Sequence, residues 1–291
     1  MAILSFTSSE LEAGKASLPG LGKMLKIQTE EKTGFLKKIL YVGIPITAIT
    51  LTELLIFGGR LREASIAYTL LLLLFSYSIA AITKPEIRKI YQAFLLLTIF
   101  RLVNFSMPVF LEKNLYSFVF IYAPLAIPIT LATTHQKVRY ERKRDTLKRI
   151  WIYLPLSVLA GLAFGQVEYI LIGTREFIPD ISATNLLILI IIMVFIVGLI
   201  EELIFRSILQ TSLEEFLGPA GGIFFSSLLF GIMHSAYGMP YEMAYTFLVG
   251  GFLGYLFYRT RSLPLVVMIH GSINVFLFGI IPHTGPVLGL I

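Results

Sequence analysis

The sequence has no cysteine and few charged residues. Without cysteine it can form no disulfide bond, no thiolate nucleophile and no zinc site with cysteine ligands. Charged residues make up 14% of its 291 residues, whereas soluble domains carry about a quarter. Hydrophobic residues make up 56%, and the mean hydropathy is +0.81. This composition predicts an integral membrane protein.

Apolar segments of the length that crosses a bilayer, about 20 residues, follow one another along the chain. We predict nine of them, at 39–57, 64–82, 87–110, 115–133, 150–172, 185–206, 220–237, 241–258 and 263–281. The expected fold class is therefore all-α, a polytopic membrane bundle of about eight to nine transmembrane helices. We expect a polar N-terminal arm (1–38), a front half of helices ending in a basic loop (39–149), and a core (150–291).

The distribution of basic residues predicts the orientation of the chain. With the N-terminus inside, 18 of the 24 Lys and Arg residues fall in inner segments and 4 in outer segments. Such a bias favours a cytoplasmic N-terminus. The basic segment that follows the fourth predicted span is expected to face anionic lipid. The net charge of +6 is thus explained by the bilayer, and no nucleic-acid partner is expected.

Two adjacent carboxylates and an arginine follow directly on an apolar run that begins at Asn185. Ionisable groups inside apolar segments cost several kcal/mol if unpaired and are candidates for function. Glu202 and Arg206 stand four residues apart, so they can pair on one face of a helix. Glu201 points elsewhere, toward Gly198 one turn earlier, where a missing side chain is expected to leave room. One carboxylate is thus expected to be held and the other to be free.

Two histidines lie within later predicted spans. His234 follows Phe230 by four residues, and His270 precedes Asn274 by four, so each pair shares a helix face. Measured from the turn at Gly218-Pro219, Glu201 and His234 are predicted to lie at nearly the same depth. His270 is predicted to lie nearer the inner end of its span, so a tilted or broken helix is needed to bring it level.

A glutamate, two imidazoles and an amide suit the hydrolysis of a peptide bond by activated water. The glutamate can take a proton from water, and a histidine can hold that water and pass the proton to the leaving amine. Another histidine and an asparagine amide can donate hydrogen bonds to the oxyanion of the attacked carbonyl. No cofactor or metal is needed for this chemistry.

The three motifs resemble those of the CAAX protease and bacteriocin-processing family, the Rce1-like intramembrane glutamate endopeptidases. They are Glu201-Glu202-x-x-x-Arg206, Phe230-x-x-x-His234 and His270-x-x-x-Asn274. The resemblance implies that Glu201 activates water with His234 as its partner and that His270 and Asn274 form the oxyanion site. It implies that Glu202, Arg206 and Phe230 are supporting residues.

The resemblance also implies a substrate and a location. The substrate is a membrane-associated protein or peptide, with or without a prenyl group, cleaved near its C-terminus. The location is the plasma membrane, expected to be prokaryotic, with the active site opening toward the cytoplasm.

Two other functional hypotheses are compatible with the sequence. A zinc peptidase could use one glutamate and two histidines as ligands, although no His-Glu-x-x-His motif is present. A transporter, or an immunity protein that binds peptides without cleaving them, could use polar residues within the front spans and the fifth span. These include Arg101, Asn104 and Glu168, for which pairing between helices is the default expectation.

Overall fold

The computed structural model describes residues 19–106, 114–136 and 149–286. Within these ranges every regular element is a helix and no strand occurs. The predicted all-α fold class is therefore confirmed. The chain divides into two units, residues 1–44 and 45–291, and the candidate site lies in the second unit.

Ten helices, α1 to α10, carry the fold across the described residues. In chain order they are α1 (Pro19–Phe57), α2 (Leu61–Ala81), α3 (Pro85–Ser106), α4 (Ser117–Tyr122), α5 (Ala126–Gln136), α6 (Ile150–Ile172), α7 (Ala183–Leu217), α8 (Pro219–Ile232), α9 (Pro240–Thr260) and α10 (Leu263–Thr284). A single 3₁₀ turn, Ala123–Leu125, joins α4 to α5.

Helical structure covers each of the nine predicted spans, to the extent that the structure describes them. Seven helical stretches are long and apolar enough to cross a membrane, counting the α4–α5 pair as one. The other two predicted spans correspond to α3 and α9, which have 22 and 21 residues but fall short of that level of apolarity. The prediction of a multi-pass helical membrane protein is confirmed.

The predicted N-terminal arm and basic loop lie partly outside the described residues. These parts are residues 1–18 of the arm and residues 137–148 of the loop. Residues 19–38 belong to the continuous helix α1, so the described part of the predicted polar arm is helical. The domain boundaries at 38 and 149 stay predictions.

Glycines with positive φ mark two of the turns between helices. Gly173 ends α6 with φ +57°, and Gly218 separates α7 from α8 with φ +85°. An L-amino acid with a side chain rarely adopts such values, which glycine reaches without steric cost. Pro219 follows at the first position of α8, where its missing N–H leaves no hydrogen bond unmade. The predicted turn at Gly218-Pro219 is thus observed.

The long helix α7 is not a regular α-helix. Two of its stretches, Ile191–Gly198 and Leu203–Gln210, are π-helical, and only Leu199–Glu202 between them keeps α geometry. π-helical turns are rare and frequently occur at functional sites. In α7 they flank the two adjacent glutamates.

Helix α10 is the most buried of the candidate spans. In its apolar window 72% of the residues are buried, against 22–44% in the others. It packs against both α6 and α7. On the α6 side, a side chain at Gly165 would come within 3.0 Å of the Ile273 carbonyl oxygen, so these two helices approach closely. Helix α10 therefore presents His270 and Asn274 from the interior of the protein.

Candidate active site

The buried acid of the pair, Glu202, is held by Arg206. The Nε of Arg206 lies 2.9 Å from Oε2 of Glu202, and neither side chain has any exposed surface. The guanidinium also lies over the ring of Phe230, 5.2 Å from its centroid. The pairing predicted from helical spacing is therefore observed, and it holds one glutamate away from solvent.

Its neighbour Glu201 faces a cavity but is not free of contacts. Its side chain is 12% exposed, and its Oε1 accepts a hydrogen bond from the hydroxyl of Tyr122. Tyr122 is the last residue of α4, in the front half of the chain. Glu201 is thus the less buried of the two acids, but it is not free as expected, because it has a tyrosine partner that no sequence spacing indicated.

The imidazole of His270 lies between the two acids. Its Nδ1 is 2.8 Å from Oε1 of Glu202, and its Nε2 is 3.7 Å from Oε2 of Glu201. The first distance is a hydrogen bond, and the second is too long for one. Glu202 thereby fixes the orientation of the ring and leaves Nε2 directed toward the side of Glu201.

The close approach of α7 to α10 explains how His270 reaches the acids. A side chain at Gly198 would meet the backbone nitrogen of Gly271 at 3.3 Å and the Val267 carbonyl oxygen at 3.4 Å. The prediction that Gly198 leaves open room beside Glu201 is therefore wrong, because backbone of α10 occupies that space. The two glycines instead let the helices come together, as small residues do at membrane helix interfaces.

The second imidazole, His234, lies just beyond the end of a helix. Helix α8 ends at Ile232, and His234 has φ −89° and ψ 9° at the start of a 3₁₀ turn. Its Nδ1 lies 2.8 Å from the carbonyl oxygen of Phe230. Its ring is nearly parallel to that of Tyr237, with 6.1 Å between centroids. We expected His234 on a helix face, and the structure places it in the turn that follows.

Phe230 packs against both imidazoles. Its ring centroid lies 5.0 Å from that of His234 and 5.7 Å from that of His270, the latter in an edge-on arrangement. It also packs edge-on against Phe205 at 5.0 Å. The motif residue Phe230 therefore contacts both imidazole rings of the site.

One cavity of about 350 Å³ brings the predicted residues together. Glu201, His234, His270 and Asn274 all line it. Asn274 follows His270 by one helical turn and is 8% exposed. Residues from the front half of the chain and from α6 complete the wall, among them Phe100, Arg101, Asn104, Tyr122 and Glu168. The residues of the predicted constellation thus line one and the same cavity.

Arg101, which the transporter reading singled out, is ion-paired. Its Nε lies 2.6 Å from Oε1 of Glu53, and its second terminal nitrogen donates to the other carboxylate oxygen. Both side chains are almost completely buried. The default expectation of pairing between helices is therefore observed for Arg101.

No group of three or more His, Asp or Glu side chains in the described ranges is arranged to hold a metal ion. The described residues therefore offer no ligand set for zinc, and a chelation experiment tests the zinc-peptidase hypothesis directly.

The chain is thus a multi-pass membrane protein that encloses carboxylate, imidazole and amide groups in one cavity between its helices. Residues 183–276 match the family described as "Type II CAAX prenyl endopeptidase Rce1-like", which confirms the family resemblance seen in the three motifs. The matched segment contains all seven motif residues. The match supports a membrane endopeptidase with a membrane-associated protein as substrate. No curated protein and no solved structure was found to match the chain.

Proposed function

We propose that this protein is an intramembrane endopeptidase that hydrolyses a peptide bond near the C-terminus of a membrane-associated protein, using water activated by Glu201. The observation that carries the proposal is the position of Glu201 on the cavity wall, with His270 Nε2 at 3.7 Å and Tyr122 hydrogen-bonded to it. A carboxylate so placed can accept a proton from a water molecule held in the cavity.

The hydrolysis uses groups of this chain only. The water oxygen bonds to the carbonyl carbon of the substrate while one water proton passes to Glu201. The carbonyl oxygen becomes an oxyanion, which His270 and Asn274 stabilise by donating hydrogen bonds; one such donor is worth about 3–4 kcal/mol. The C–N bond then breaks, and the proton taken up from water reaches the leaving nitrogen through His234. The products are a carboxylic acid, which keeps the second water proton, and an amine.

The hydrogen bonds of the two imidazoles support these separate roles. A carbonyl oxygen only accepts hydrogen bonds, so Nδ1 of His234 carries a proton and donates to Phe230. In the neutral ring Nε2 has no proton, so it can accept a hydrogen bond from the attacking water. By the same reasoning Nδ1 of His270 donates to the Glu202 carboxylate. A second proton on Nε2 would make His270 an oxyanion donor.

Charge balance in the site supports a protonated His270. Glu201 and Glu202 contribute two negative charges, and Arg206 contributes one positive charge. An imidazolium at His270 brings the sum of these four groups to zero, which is the favourable arrangement for buried charges. Arg206 and Glu202 then act as supporting residues, and Tyr122 orients the base.

The family match supports the proposed substrate class, and the basic residues support the proposed orientation. The matched family is described as a CAAX prenyl endopeptidase, and together with the resemblance of the three motifs this supports a membrane-associated protein, with or without a prenyl group, as substrate. The excess of Lys and Arg in the predicted inner segments supports a cytoplasmic N-terminus. We further propose that the active site opens toward the cytoplasm.

The test is a cleavage assay on the purified protein in lipid nanodiscs. Prenylated and unprenylated C-terminal peptides are incubated with the protein, and products are identified by mass spectrometry. Glu201→Gln is expected to abolish cleavage while preserving peptide binding. The matched control is Glu215→Gln. Glu215 is an exposed acid of the same helix and pairs with Lys89, so this variant is expected to be fully active.

Two outcomes contradict the proposal. Cleavage that survives in Glu201→Gln would show that Glu201 is not the base. Activity that is lost to a zinc chelator and restored by added zinc would favour the metallopeptidase reading over the metal-free mechanism.

A further inference from the structure

A buried charge network connects the front half of the chain to the turn that carries His234. Arg101 of α3 and Glu53 of α1 form a two-pronged ion pair, with Nε at 2.6 Å from Oε1. Tyr68 of α2 donates its hydroxyl hydrogen bond to the same carboxylate. Three front helices thus meet at one carboxylate that has no exposed surface.

The network makes two more hydrogen bonds, one on each side of His234. A terminal nitrogen of Arg101 donates to the carbonyl oxygen of Met233. The hydroxyl of Ser235 donates to Oε2 of Glu53. The residues before and after the imidazole are therefore both attached to the same ion pair, although they lie 132 and 182 positions away from their partners.

The end of α8 explains why the turn needs such partners. The last carbonyls of a helix have no intrahelical partner, and an unpaired carbonyl is costly inside a membrane. Helix α8 ends at Ile232, and Arg101 supplies the donor for the Met233 carbonyl. Within the turn itself, Tyr237 and Gly238 donate their backbone N–H groups to His234 and Ser235.

A buried ion pair is a costly way to satisfy one carbonyl and one hydroxyl. Removing two charges from water costs several kcal/mol per ion, and such pairs contribute little net stability. What the pair adds is fixed geometry, because a planar guanidinium and a carboxylate hold their partners in defined directions. Here these directions lead to the two residues that flank His234.

We propose that Glu53, Arg101 and Ser235 are positioning residues that hold the His234 imidazole against the cavity. The inference rests on the proposed function, in which His234 passes a proton between the attacking water and the leaving nitrogen. It assigns the front half of the chain a part in the reaction, although none of these three residues is expected to exchange protons with substrate.

The first experiment uses Ser235→Ala, which removes one attachment and leaves the ion pair intact. The matched control is Thr98→Val on α3, which removes a buried hydroxyl that donates only to the Phe94 carbonyl of its own helix at 2.9 Å. We expect kcat to fall roughly 10- to 100-fold in Ser235→Ala. We expect KM to stay within about twofold and the melting temperature to match that of the control, since KM reports ground-state binding.

A spectroscopic measurement separates positioning from general loosening of the fold. In protein labelled with ¹⁵N-histidine, the ring resonances of His234 are expected to shift in Ser235→Ala, while those of His270 are unchanged. Thr98→Val is expected to change neither. If His234 and kcat in Ser235→Ala both resemble the control, the positioning role is refuted.

A charge exchange tests the ion pair itself. The double variant Glu53→Arg/Arg101→Glu restores opposite charges but places a carboxylate next to the Met233 carbonyl, which it cannot hydrogen-bond. We expect it to keep a kcat well below that of the wild type. Wild-type kcat in this variant would show that the pair serves the fold alone and would overturn the proposal; if the variant does not fold, Ser235→Ala decides the question.

Failure of this inference can be told from failure of the proposed function. If Glu201→Gln still cleaves, the proposed mechanism is wrong, and the histidine resonances still report whether the network holds His234. If Glu201→Gln is inactive while Ser235→Ala behaves as Thr98→Val, only the positioning inference is wrong.

Discussion

Substituting Gly271 by alanine is the sharpest test of how the site is assembled. Gly271 follows His270 on α10, and an added Cβ would lie 2.6 Å from Cα of Val194 and 2.7 Å from its Cγ2. Carbon atoms pack at about 3.5–4.0 Å, so α7 and α10 must separate by about 1 Å. The 3.7 Å between His270 Nε2 and Glu201 Oε2 spans this contact and should lengthen with it.

The expected result of Gly271→Ala is a large loss of turnover with a smaller loss of stability. A misplacement of about 1 Å at a catalytic group can lower the rate about 100-fold. The overpacking itself is expected to cost about 1–3 kcal/mol of the free energy of unfolding. The assay measures kcat and KM on a fluorogenic peptide in nanodiscs, together with thermal unfolding of the same samples.

The matched control is Gly251→Ala on α9. An added Cβ at Gly251 meets no atom within 4 Å, and alanine is the better helix former by about 1 kcal/mol. This variant should therefore keep full activity and normal or higher stability. The reasoning is refuted if Gly271→Ala matches the control in kcat.

A second variant tests which atoms cause the effect. Adding Val194→Ala to Gly271→Ala removes the contact with Cγ2 but leaves the contacts with Cα and Cβ, so only partial recovery is expected. Full recovery would show that the side chain alone sets the spacing of the helices.

Three further substitutions test individual contacts of the site. Tyr122→Phe removes the hydrogen bond to Glu201, and kcat should fall roughly 10-fold or more, since a hydrogen bond to a charged group is worth about 1.5–3 kcal/mol. The control is Tyr245→Phe, which removes a hydroxyl that donates to the Phe164 carbonyl and should leave kcat unchanged. Equal kcat values in the two variants would contradict the role of Tyr122. Glu202→Gln leaves the fully buried Arg206 without a counter-charge and should cost about 3–5 kcal/mol in unfolding measurements, so a wild-type melting temperature would argue against the buried pair. Asn274→Ala should lower kcat by about 100-fold with little change in KM; an equal loss in peptide binding would indicate a structural role instead.

Contacts between residues close in the chain were predictable from sequence. Glu202 and Arg206 pair across one helical turn, and periodicity alone requires this. The nine segments located by hydropathy are mainly helical where the structure describes them, because a chain in lipid must satisfy its backbone hydrogen bonds within each segment. The convergence of Glu201 with His234 also followed from counting residues outward from the turn at Gly218.

Contacts between distant helices left no such signal. Tyr122 lies 79 positions before Glu201, and a tyrosine in an apolar helix has no spacing that indicates its partner. The same holds for Glu53 and Arg101, whose charges were visible but whose attachment to the His234 turn was not. The prediction that Gly198 leaves room beside Glu201 was wrong because an absent side chain is equally compatible with a cavity and with a neighbouring backbone. Only the packing of α10 distinguishes the two.

The π-helical stretches on either side of Glu201 and Glu202 make the chain register at this point unusually important. A π-helical turn holds about one residue more than an α-helical turn, and each residue of an α-helix turns the chain by about 100°. If Ile191–Gly198 kept its eight residues but became regular α-helix, the surplus residue would rotate both acids by roughly 100° relative to the start of α7. The carboxylate now at the cavity would then face another direction, while every motif letter remained in the sequence. A chain can thus carry the complete signature of this site and still be inactive, if the helix before Glu201 is a regular α-helix of the same length.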